Sequence, residues 1–558
     1  MPDISSALSS LAQGILSVLR ELVAAAGWLD KPEKPDPKDV VLGDTIEEED
    51  EDGRCPASLS PQARRKHLYV LGATGTGKTS LLLRLIQSDI EHKRTFCVVD
   101  LRGDLVDRVL LRIADAGATS STTEGAAAGA ASTWGKRLLL IDLRQSDHVV
   151  AFNPRSGAGE PSQRALHMLS VIRRNAEGWG VQLEETLRNA LVALAESGHS
   201  LLELEPLLEN AAFRAEVMEK VTDLHVRRFF ERFNALPTAS RTAWTLPVLN
   251  KVTPLLATPQ MRLMLAGPQA FSFNDLLDRQ PGSVILVALA VDRLHESAHA
   301  IGGLFVSALQ NAVMARVDLP EEKRRPVYLY VDEFETMATE RFEALISDGR
   351  RFGLGLCLSH QNGAQLPPRL RQTVRSNAHT QVYFQTGAQE AAGLTDEISG
   401  PWSKKEVRAH LVRHRVGECF LVRRGKDSVR LKTRYTADPR VRKGAVQTLR
   451  QASLDRYAWT RADVEAEIRR RDEELRAAGS ATGARNAGAK GTIYEVRHEK
   501  TARFAPADPL PDDLPDDLSD ARPDTPPQAP PGLPPDTGPD DKPGDGKPED
   551  GKPGEDMG

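Results

Sequence analysis

The sequence predicts an α/β protein with a mostly parallel central sheet and an inserted all-helical subdomain. Short runs of β-branched and aliphatic residues alternate with segments of helical periodicity, an arrangement typical of parallel sheets. These runs lie at 67–71, 95–99, 138–141, 284–289, 327–331 and 354–358, with two more at 418–422 and 429–433. Strand signals are missing between residues 161 and 256, where Leu183, Leu187, Leu191 and Leu194 share one helical face.

Composition and length agree with a soluble, multidomain globular protein. The chain has 558 residues, of which 40% are hydrophobic, 27% charged and 5% aromatic, so fibrous and wholly disordered classes are excluded. The four cysteines form no CxxC pair, which argues against a disulfide scaffold and a zinc site. We find no apolar run of about 20 residues and no signal peptide pattern. We therefore expect a cytoplasmic protein.

Charge is segregated along the chain. Residues 1–53 carry a net charge of minus 9 and residues 505–558 carry minus 11, whereas residues 54–504 combine 65 basic with 50 acidic side chains. A basic body suits a polyanionic partner such as nucleic acid. Acidic ends that only keep the chain soluble explain the same pattern equally well.

The expected domain organisation follows from these patterns. Residues 5–29 have helical apolar spacing, which could dock on a partner or on the inner face of the cell membrane. We expect an amphipathic helical segment at 1–30, an acidic linker at 31–60, the first part of the core at 61–160, the all-helical insertion at 161–265, the second part of the core at 266–440, a C-terminal helical arm at 441–504, and a disordered tail rich in Pro, Asp and Gly at 505–558.

A glycine-rich loop follows the first of the predicted core strands and precedes an apolar helical run. Its sequence matches GxxxxGK[ST] in full, and we assign nucleotide contacts to Gly72, Ala73, Thr74, Gly75, Thr76, Gly77, Lys78, Thr79 and Ser80. Glycines allow backbone N–H groups to converge on phosphate oxygens, Lys78 reaches the β and γ phosphates, and Thr79 offers a hydroxyl to Mg²⁺. The loop predicts a nucleoside triphosphate site.

An acidic pair, Asp332 and Glu333, ends the apolar strand at 327–331. In this layout Asp332 holds Mg²⁺ through water and Glu333 polarises the attacking water. Acids at strand ends are common, so the pair indicates a nucleotide site only in combination with Lys78.

Two polar residues near the next strand have a functional and a structural interpretation each. Gln361 ends that strand and could contact the γ-phosphate, or it could only cap the strand. Arg350, next to Arg351, could stabilise charge on a neighbouring subunit's phosphate, or it could be a solvated helix-end arginine. The residues alone leave both choices open.

Taken in order, these motifs resemble the HerA/FtsK superfamily of P-loop motor ATPases, and most closely the TraG/TraD-type coupling proteins of type IV secretion. The segments that carry the resemblance are GATGTGKTS, VVDLRGDLVDRVL, AFNP, YLYVDEFE and GRRFGLGLCLSHQN, within about residues 65–435. The turn Asp100-Leu-Arg-Gly-Asp104 departs from the Asp-Pro-His-Gly-Asp pattern that is frequent in the superfamily.

The resemblance implies a RecA-like core, a homohexamer that hydrolyses ATP with Mg²⁺ at subunit boundaries, and DNA moved through a central channel. In that family Lys78, Asp332, Glu333 and Gln361 match nucleotide-site positions, and Arg350 matches the arginine of a GR-x-x-G segment. A relaxase and secretion-channel components are the implied partners.

The family's usual N-terminal membrane anchor is not found in this sequence. A HerA-like motor of DNA repair or defence, and a protein-secretion ATPase that does not act on DNA, remain alternatives. For DNA we expect contacts with phosphates rather than bases, without assigning them to any single basic cluster.

Overall fold

The structure of the protein is a computed structural model. It describes residues 36–46, 55–119, 134–135, 137–152, 160–174, 178–267, 271–279, 282–337 and 340–486. The amphipathic segment expected at 1–30 and the tail expected at 505–558 lie outside these residues.

An eleven-stranded sheet forms the centre of the described part of the chain, with the order β2-β1-β12-β11-β10-β3-β9-β8-β4-β7-β5. From β10 to β5 all neighbours pair in parallel, whereas the strands from β11 to β2 add an antiparallel extension. This confirms the predicted fold class. The strands are β1 (Val40–Thr45), β2 (Pro56–Leu59), β3 (Leu68–Leu71), β4 (Thr95–Asp100), β5 (Leu138–Asp142), β6 (His148–Val149), β7 (Val284–Ala288), β8 (Val327–Val331), β9 (Leu354–His360), β10 (Thr380–Tyr383), β11 (Glu418–Arg423), β12 (Val429–Thr433) and β13 (Trp459–Thr460).

The α-helices connect these strands and also form the insertion between β6 and β7. They are α1 (Pro61–Arg64), α2 (Lys78–Glu91), α3 (Asp104–Thr119), α4 (Pro161–Arg174), α5 (Val181–Ser197), α6 (Leu204–Glu209), α7 (Ala211–Lys220), α8 (Leu224–Ala235), α9 (Thr238–Val252), α10 (Pro259–Ala266), α11 (Val291–Leu294), α12 (Glu296–Met314), α13 (Glu340–Asp348), α14 (Pro368–Asn377), α15 (Ala388–Leu394), α16 (Lys404–Arg413), α17 (Ala445–Tyr457) and α18 (Arg461–Asn486).

Apolar clusters cover both faces of the sheet, because successive strand residues point to opposite sides. On one face Val70, Val98 and Leu286 pack with α2 and α3. On the other face Leu71, Val99 and Val287 belong to a cluster that continues into the helical insertion. The insertion therefore shares a hydrophobic core with the sheet and is anchored to it by packing.

The segment expected to be an acidic linker at 31–60 differs from that expectation. Residues 40–45 form β1, which pairs with β12, and residues 56–59 form β2. Val40, Leu42 and Leu59 are buried. The two apolar segments are short and an acidic run separates them, so the sequence alone does not predict strands here. The strands form because β1 pairs with β12 and β2 pairs with β1.

The C-terminal helical arm expected at 441–504 is also different in its first part. Helix α17 packs on β5 and α3, with Leu449, Leu454 and Tyr457 buried. It is part of the core, since its apolar face covers one end of the sheet. Helix α18 begins with Thr460 accepting from Asp463 N at 3.2 Å and contacts α7 and α10.

One helical stretch of the described residues is long and apolar enough for a membrane span. It covers Ser297–Asp318 with a mean hydropathy of 1.3, and 67% of its apolar window is buried inside the protein. Ile301, Phe305 and Leu309 lie in the main core. Core packing accounts for the apolar character of this helix.

Candidate nucleotide site

The strand order brings the predicted site residues to one edge of the sheet. Strand β9 lies between β3 and β8, and all three run in parallel. We call the side where these strands end the carboxyl edge and the side where they begin the amino edge. In open α/β sheets, ligands bind at the carboxyl edge. The glycine loop, the acidic pair and Gln361 follow β3, β8 and β9 there.

The glycine loop turns sharply between β3 and α2. Gly77 has a φ of 123°, a value that side chains rarely tolerate. A Cβ at Gly77 would also lie 3.1 Å from the Phe384 ring and 3.3 Å from Gly417. The loop is held from outside as well, since Gly417 N donates to Thr76 O at 2.8 Å and Ala73 N donates to Gln385 O at 2.8 Å. Helix α2 begins at Lys78, so its N-terminus faces this turn.

Lys78 lies inside the loop and is only 8% exposed. Its Nζ donates to Gly72 O at 2.7 Å and to Ala73 O at 3.0 Å. Burial lowers the pKa of Lys78, whereas the Asp332, Glu335 and Glu333 carboxylates raise it. The lysine is thus a buried cation in an acidic surrounding, positioned at the loop that the sequence assigns to phosphates.

Thr79 and Asp332 meet across the site. Thr79 Oγ1 donates to Asp332 Oδ2 at 3.4 Å, which brings together a hydroxyl and a carboxylate, the oxygen ligands that Mg²⁺ uses beside substrate phosphates. Among the residues the structure describes, no group of three or more His, Cys, Asp or Glu could hold a metal. This donor set fits Mg²⁺ that arrives with a nucleotide, and does not fit a metal held by protein alone.

Glu333 has unusual backbone geometry. Its φ is 51° and its ψ is 45°, the left-handed region that non-glycine residues rarely adopt. Glu333 N donates to Asp332 Oδ1 at 3.1 Å, and Thr336 Oγ1 donates to Glu333 O at 2.7 Å. These contacts fix the turn after β8, which supports a functional reason for the strained conformation.

Gln361 contacts the glycine loop directly. Thr74 Oγ1 donates to Gln361 Oε1 at 3.1 Å, and Gly72 N donates to His360 O at 3.3 Å. Behind them, the buried His360 Nε2 lies 2.6 Å from Tyr69 Oη. Burial lowers the pKa of His360 to about 3, so the ring is neutral. The end of β9 is therefore connected to the loop and to β3.

Sequence reasoning missed Glu335, the third acid after β8. Burial raises the pKa of Glu335 to about 7, Glu333 and Asp332 raise it as well, and Lys78 lowers it. Its Oε2 is buried and has no hydrogen-bond partner among the described residues. Three acids within four positions after one strand were the available signal.

Arg350 is not part of this site within one chain. It precedes β9, whereas Gln361 follows it, and a strand of seven residues is about 23 Å long. Burial lowers the pKa of His67 at the start of β3 to about 4, and nearby Arg350 contributes to the lowering. Arg350 is exposed, and its position before β9 and near His67 places it at the amino edge, at the other end of these strands from Lys78.

Asp100, which carries part of the family resemblance, organises a turn. Its carboxylate accepts from Arg102 N and Val106 N, both at 3.1 Å. Burial raises the pKa of Asp100, while hydrogen bonds from Gly103, Val106 and Arg102 lower it. These contacts position the start of α3 beside the acidic pair.

Comparison with known families decides where this arrangement belongs. A family model described as the type IV secretion-system coupling protein DNA-binding domain matches residues 55–115 and 174–453, which is more than half of the chain. The chain belongs to this family. The match includes the glycine loop, the acidic pair, Gln361 and Arg350.

Solved structures of the plasmid coupling protein TrwB share the fold. The plasmid coupling protein TrwB in complex with a non-hydrolysable ATP analogue is 15% identical, with 74% of this chain and 92% of that chain covered and a TM-score of 0.52. TrwB with a non-hydrolysable GTP analogue is 16% identical, with 70% and 90% covered and a TM-score of 0.50. VirB4 of Thermoanaerobacter pseudethanolicus is 12% identical, with 72% and 98% covered and a TM-score of 0.49. No curated protein sequence matches.

Proposed function

We propose that this coupling protein is an ATP-hydrolysing motor that assembles as a homohexamer and moves DNA, or a nucleoprotein substrate, in conjugative or related type IV transfer. A relaxase and components of the secretion channel are its proposed partners, and peripheral association with the cell membrane is part of the same proposal. The observation that carries the proposal is the convergence of Lys78, Asp332, Glu333 and Gln361 at one edge of the sheet.

We assign a separate task to each residue of the carboxyl edge. Loop N–H groups, Lys78 and the N-terminus of α2 bind the phosphates. Thr79 and Asp332 orient the metal, and Mg²⁺, when bound, neutralises charge on the phosphate oxygens. Glu333 accepts a proton from the attacking water or orients it. Gln361, which contacts Thr74, is placed to respond to the γ-phosphate. The ATP and GTP analogues in the TrwB structures support a nucleotide in this position.

The separation of Arg350 from Lys78 is the reason for proposing a site completed by a second copy. No arginine among the described residues forms an ion pair with Asp332, Glu333 or Glu335. An arginine in trans contributes about 10³ to 10⁵ in rate in comparable enzymes. Arg350 at the amino edge of one protomer can meet the carboxyl edge of the next in a head-to-tail ring.

Steady-state ATPase activity, measured against protein concentration with and without DNA, tests the proposal. We expect the specific activity to rise with assembly and to increase when single- or double-stranded DNA is added. Glu333→Gln should still bind nucleotide but hydrolyse ATP at least about 100-fold more slowly. Sedimentation at the same concentrations reports the oligomeric state.

Three outcomes would contradict parts of the proposal. Full activity in a protein that sediments as a monomer would overturn the shared site. Turnover that no DNA stimulates would favour a protein-delivery ATPase. A HerA-like repair or defence role would be favoured if DNA stimulates turnover but the protein binds neither relaxase nor channel components.

A further inference from the structure

A second concave surface lies away from the nucleotide site, beside the amino end of β10 and the carboxyl end of β11. It is a cavity of about 700 Å³ between these strands and α14. Its wall contains Arg371, Arg375, His379 and Arg424, together with Gln372 and Gln381. Neither the motifs nor the proposed hydrolysis uses this cavity.

The arginines of the cavity differ in how far their charge is neutralised. Arg375 pairs with Glu390 at 3.1 Å and with Glu397 at 2.9 Å. Arg371 Nη1 donates to Gly363 O at 3.4 Å, and Arg424 donates to Ser376 O. These two contacts use uncharged carbonyl groups, and among the described residues neither Arg371 nor Arg424 forms an ion pair. Arg371 and Arg424 therefore have no acidic partner among the described residues, whereas Arg375 is paired with two acids.

The lowered pKa of His379 indicates a positive electrostatic potential at this cavity. Burial lowers its pKa, and Lys66, Arg424 and Arg423 lower it further. Lys66 and Arg424 are exposed. A cluster of neighbouring cations disfavours protonation of the imidazole and attracts anions.

We propose that this cavity binds the phosphodiester backbone of the nucleic acid on which the motor acts. The inference rests on the proposed function, for which it names a contact surface. The lining offers guanidinium and amide donors, its carboxylate Glu397 is paired with Arg375, and it contains no Phe, Tyr or Trp ring on which a base could stack, so it is suited to contact phosphates without reading sequence. Residues 368–424, which form the cavity, lie within the match to the DNA-binding domain model.

An acidic protein segment is the competing occupant of a basic cavity. Nucleic acid is favoured because Arg371, which is half-buried, and Arg424, which is exposed, line a cavity of about 700 Å³ within the match to the DNA-binding domain model. Phosphate oxygens accept bidentate hydrogen bonds from arginine side chains.

Fluorescence anisotropy with labelled single- and double-stranded oligonucleotides of mixed sequence tests the proposal, with the full chain titrated at several salt concentrations. We expect Arg371→Gln and Arg424→Gln each to weaken binding of all sequences alike. Each should reduce the slope of log Kd against log salt by about one. Gln372→Glu places a carboxylate on the exposed wall without removing an arginine contact, and should weaken binding as well.

Lys443→Gln is the matched control, because Lys443 is exposed just before α17 and does not line the cavity. Thermal unfolding of every variant shows whether it folds. If an arginine variant does not fold, the DNA affinity of Gln372→Glu tests the proposal in its place. Unchanged affinity and slope in all cavity variants, with DNA bound by the unmodified protein, would overturn this inference and leave the motor function intact. An unmodified protein that binds no DNA would instead refute the proposed DNA-motor function. If the cavity variants lose affinity for a labelled acidic peptide, and DNA does not displace that peptide from the unmodified protein, the cavity would be assigned to a protein partner.

Discussion

The two edges of the central sheet carry opposite charge patterns. At the carboxyl edge, the buried Lys78 is surrounded by Asp332, Glu333 and Glu335. At the amino edge, Lys66 and Arg350 are exposed. The difference supports the shared site proposed above, in which the acidic edge of one copy would bind the metal nucleotide and the basic edge of the next copy would approach its phosphates.

Removing a lysine from each edge should produce the largest contrast. Lys78→Ala should lose detectable ATP binding, because the lysine is the cation within the glycine loop. Lys323→Ala, which removes an exposed lysine before β8 at the amino edge, should bind ATP as the unmodified protein does. Equilibrium binding of a fluorescent ATP analogue measures both. Equal losses in the two variants would mean that the edges are not functionally distinct.

Mixing two inactive variants should show whether the edges meet between protomers. Arg350→Ala should reduce turnover by about 10³, while Arg351→Ala, the neighbouring exposed arginine, should have little effect. A mixture of Arg350→Ala and Lys78→Ala protomers should recover part of the activity, because some boundaries then combine an intact Lys78 with an intact Arg350. No recovery in assembled mixtures would place Arg350 outside the shared site.

A smaller effect is expected from the hydrogen bond that lies between the edges. Tyr69→Phe removes the hydroxyl group that lies 2.6 Å from the buried His360 Nε2. An unpaired buried polar group costs about 1–3 kcal/mol, so the free energy of unfolding should fall by that amount. Denaturant titration measures it, and Tyr435→Phe is the control because Tyr435 is 72% exposed. Equal stability of both variants would show that this contact does not hold β9 to β3.

The smallest effect concerns Glu335 and pH. Its pKa is raised from 4.5 to about 7, so the folded protein holds a proton that the unfolded chain has released. Stability from this group is present below pH 4.5 and is lost as the pH rises through 7. Glu335→Gln should therefore gain thermal stability relative to the unmodified protein between pH 5 and pH 8. A constant difference in thermal stability between these pH values would contradict this.

Strong local patterns allowed much of the fold to be predicted from sequence. The bounds predicted at 327–331 and 429–433 agree with β8 and β12, because each is a run of strand-forming residues between turns. Strand β10 was missed, since its four residues become a strand only by pairing with β3 and β11. The strands β1 and β2 were missed for the same reason, since β1 pairs with β12 and β2 pairs with β1.

Within the site, sequence order identified the residues but not all their neighbours. Gln361 was predicted to lie beside the phosphate loop, and its contact with Thr74 places it there, while its response to nucleotide stays a prediction. The role of Arg350 stays a prediction too, because a single chain places it at the other edge. Glu335 was missed because its raised pKa depends on burial, a quantity that one sequence does not contain.

The left-handed backbone of Glu333 has a consequence for efforts to make this protein more robust. A non-glycine residue in that conformation costs about 1–3 kcal/mol, and glycine adopts it freely. Glu333→Gly should therefore resist heat better than the natural chain while being inert as an enzyme. Selection for thermal stability alone would favour loss of the acid to which we assign the activation of water, so screens of this protein need to measure activity and stability together.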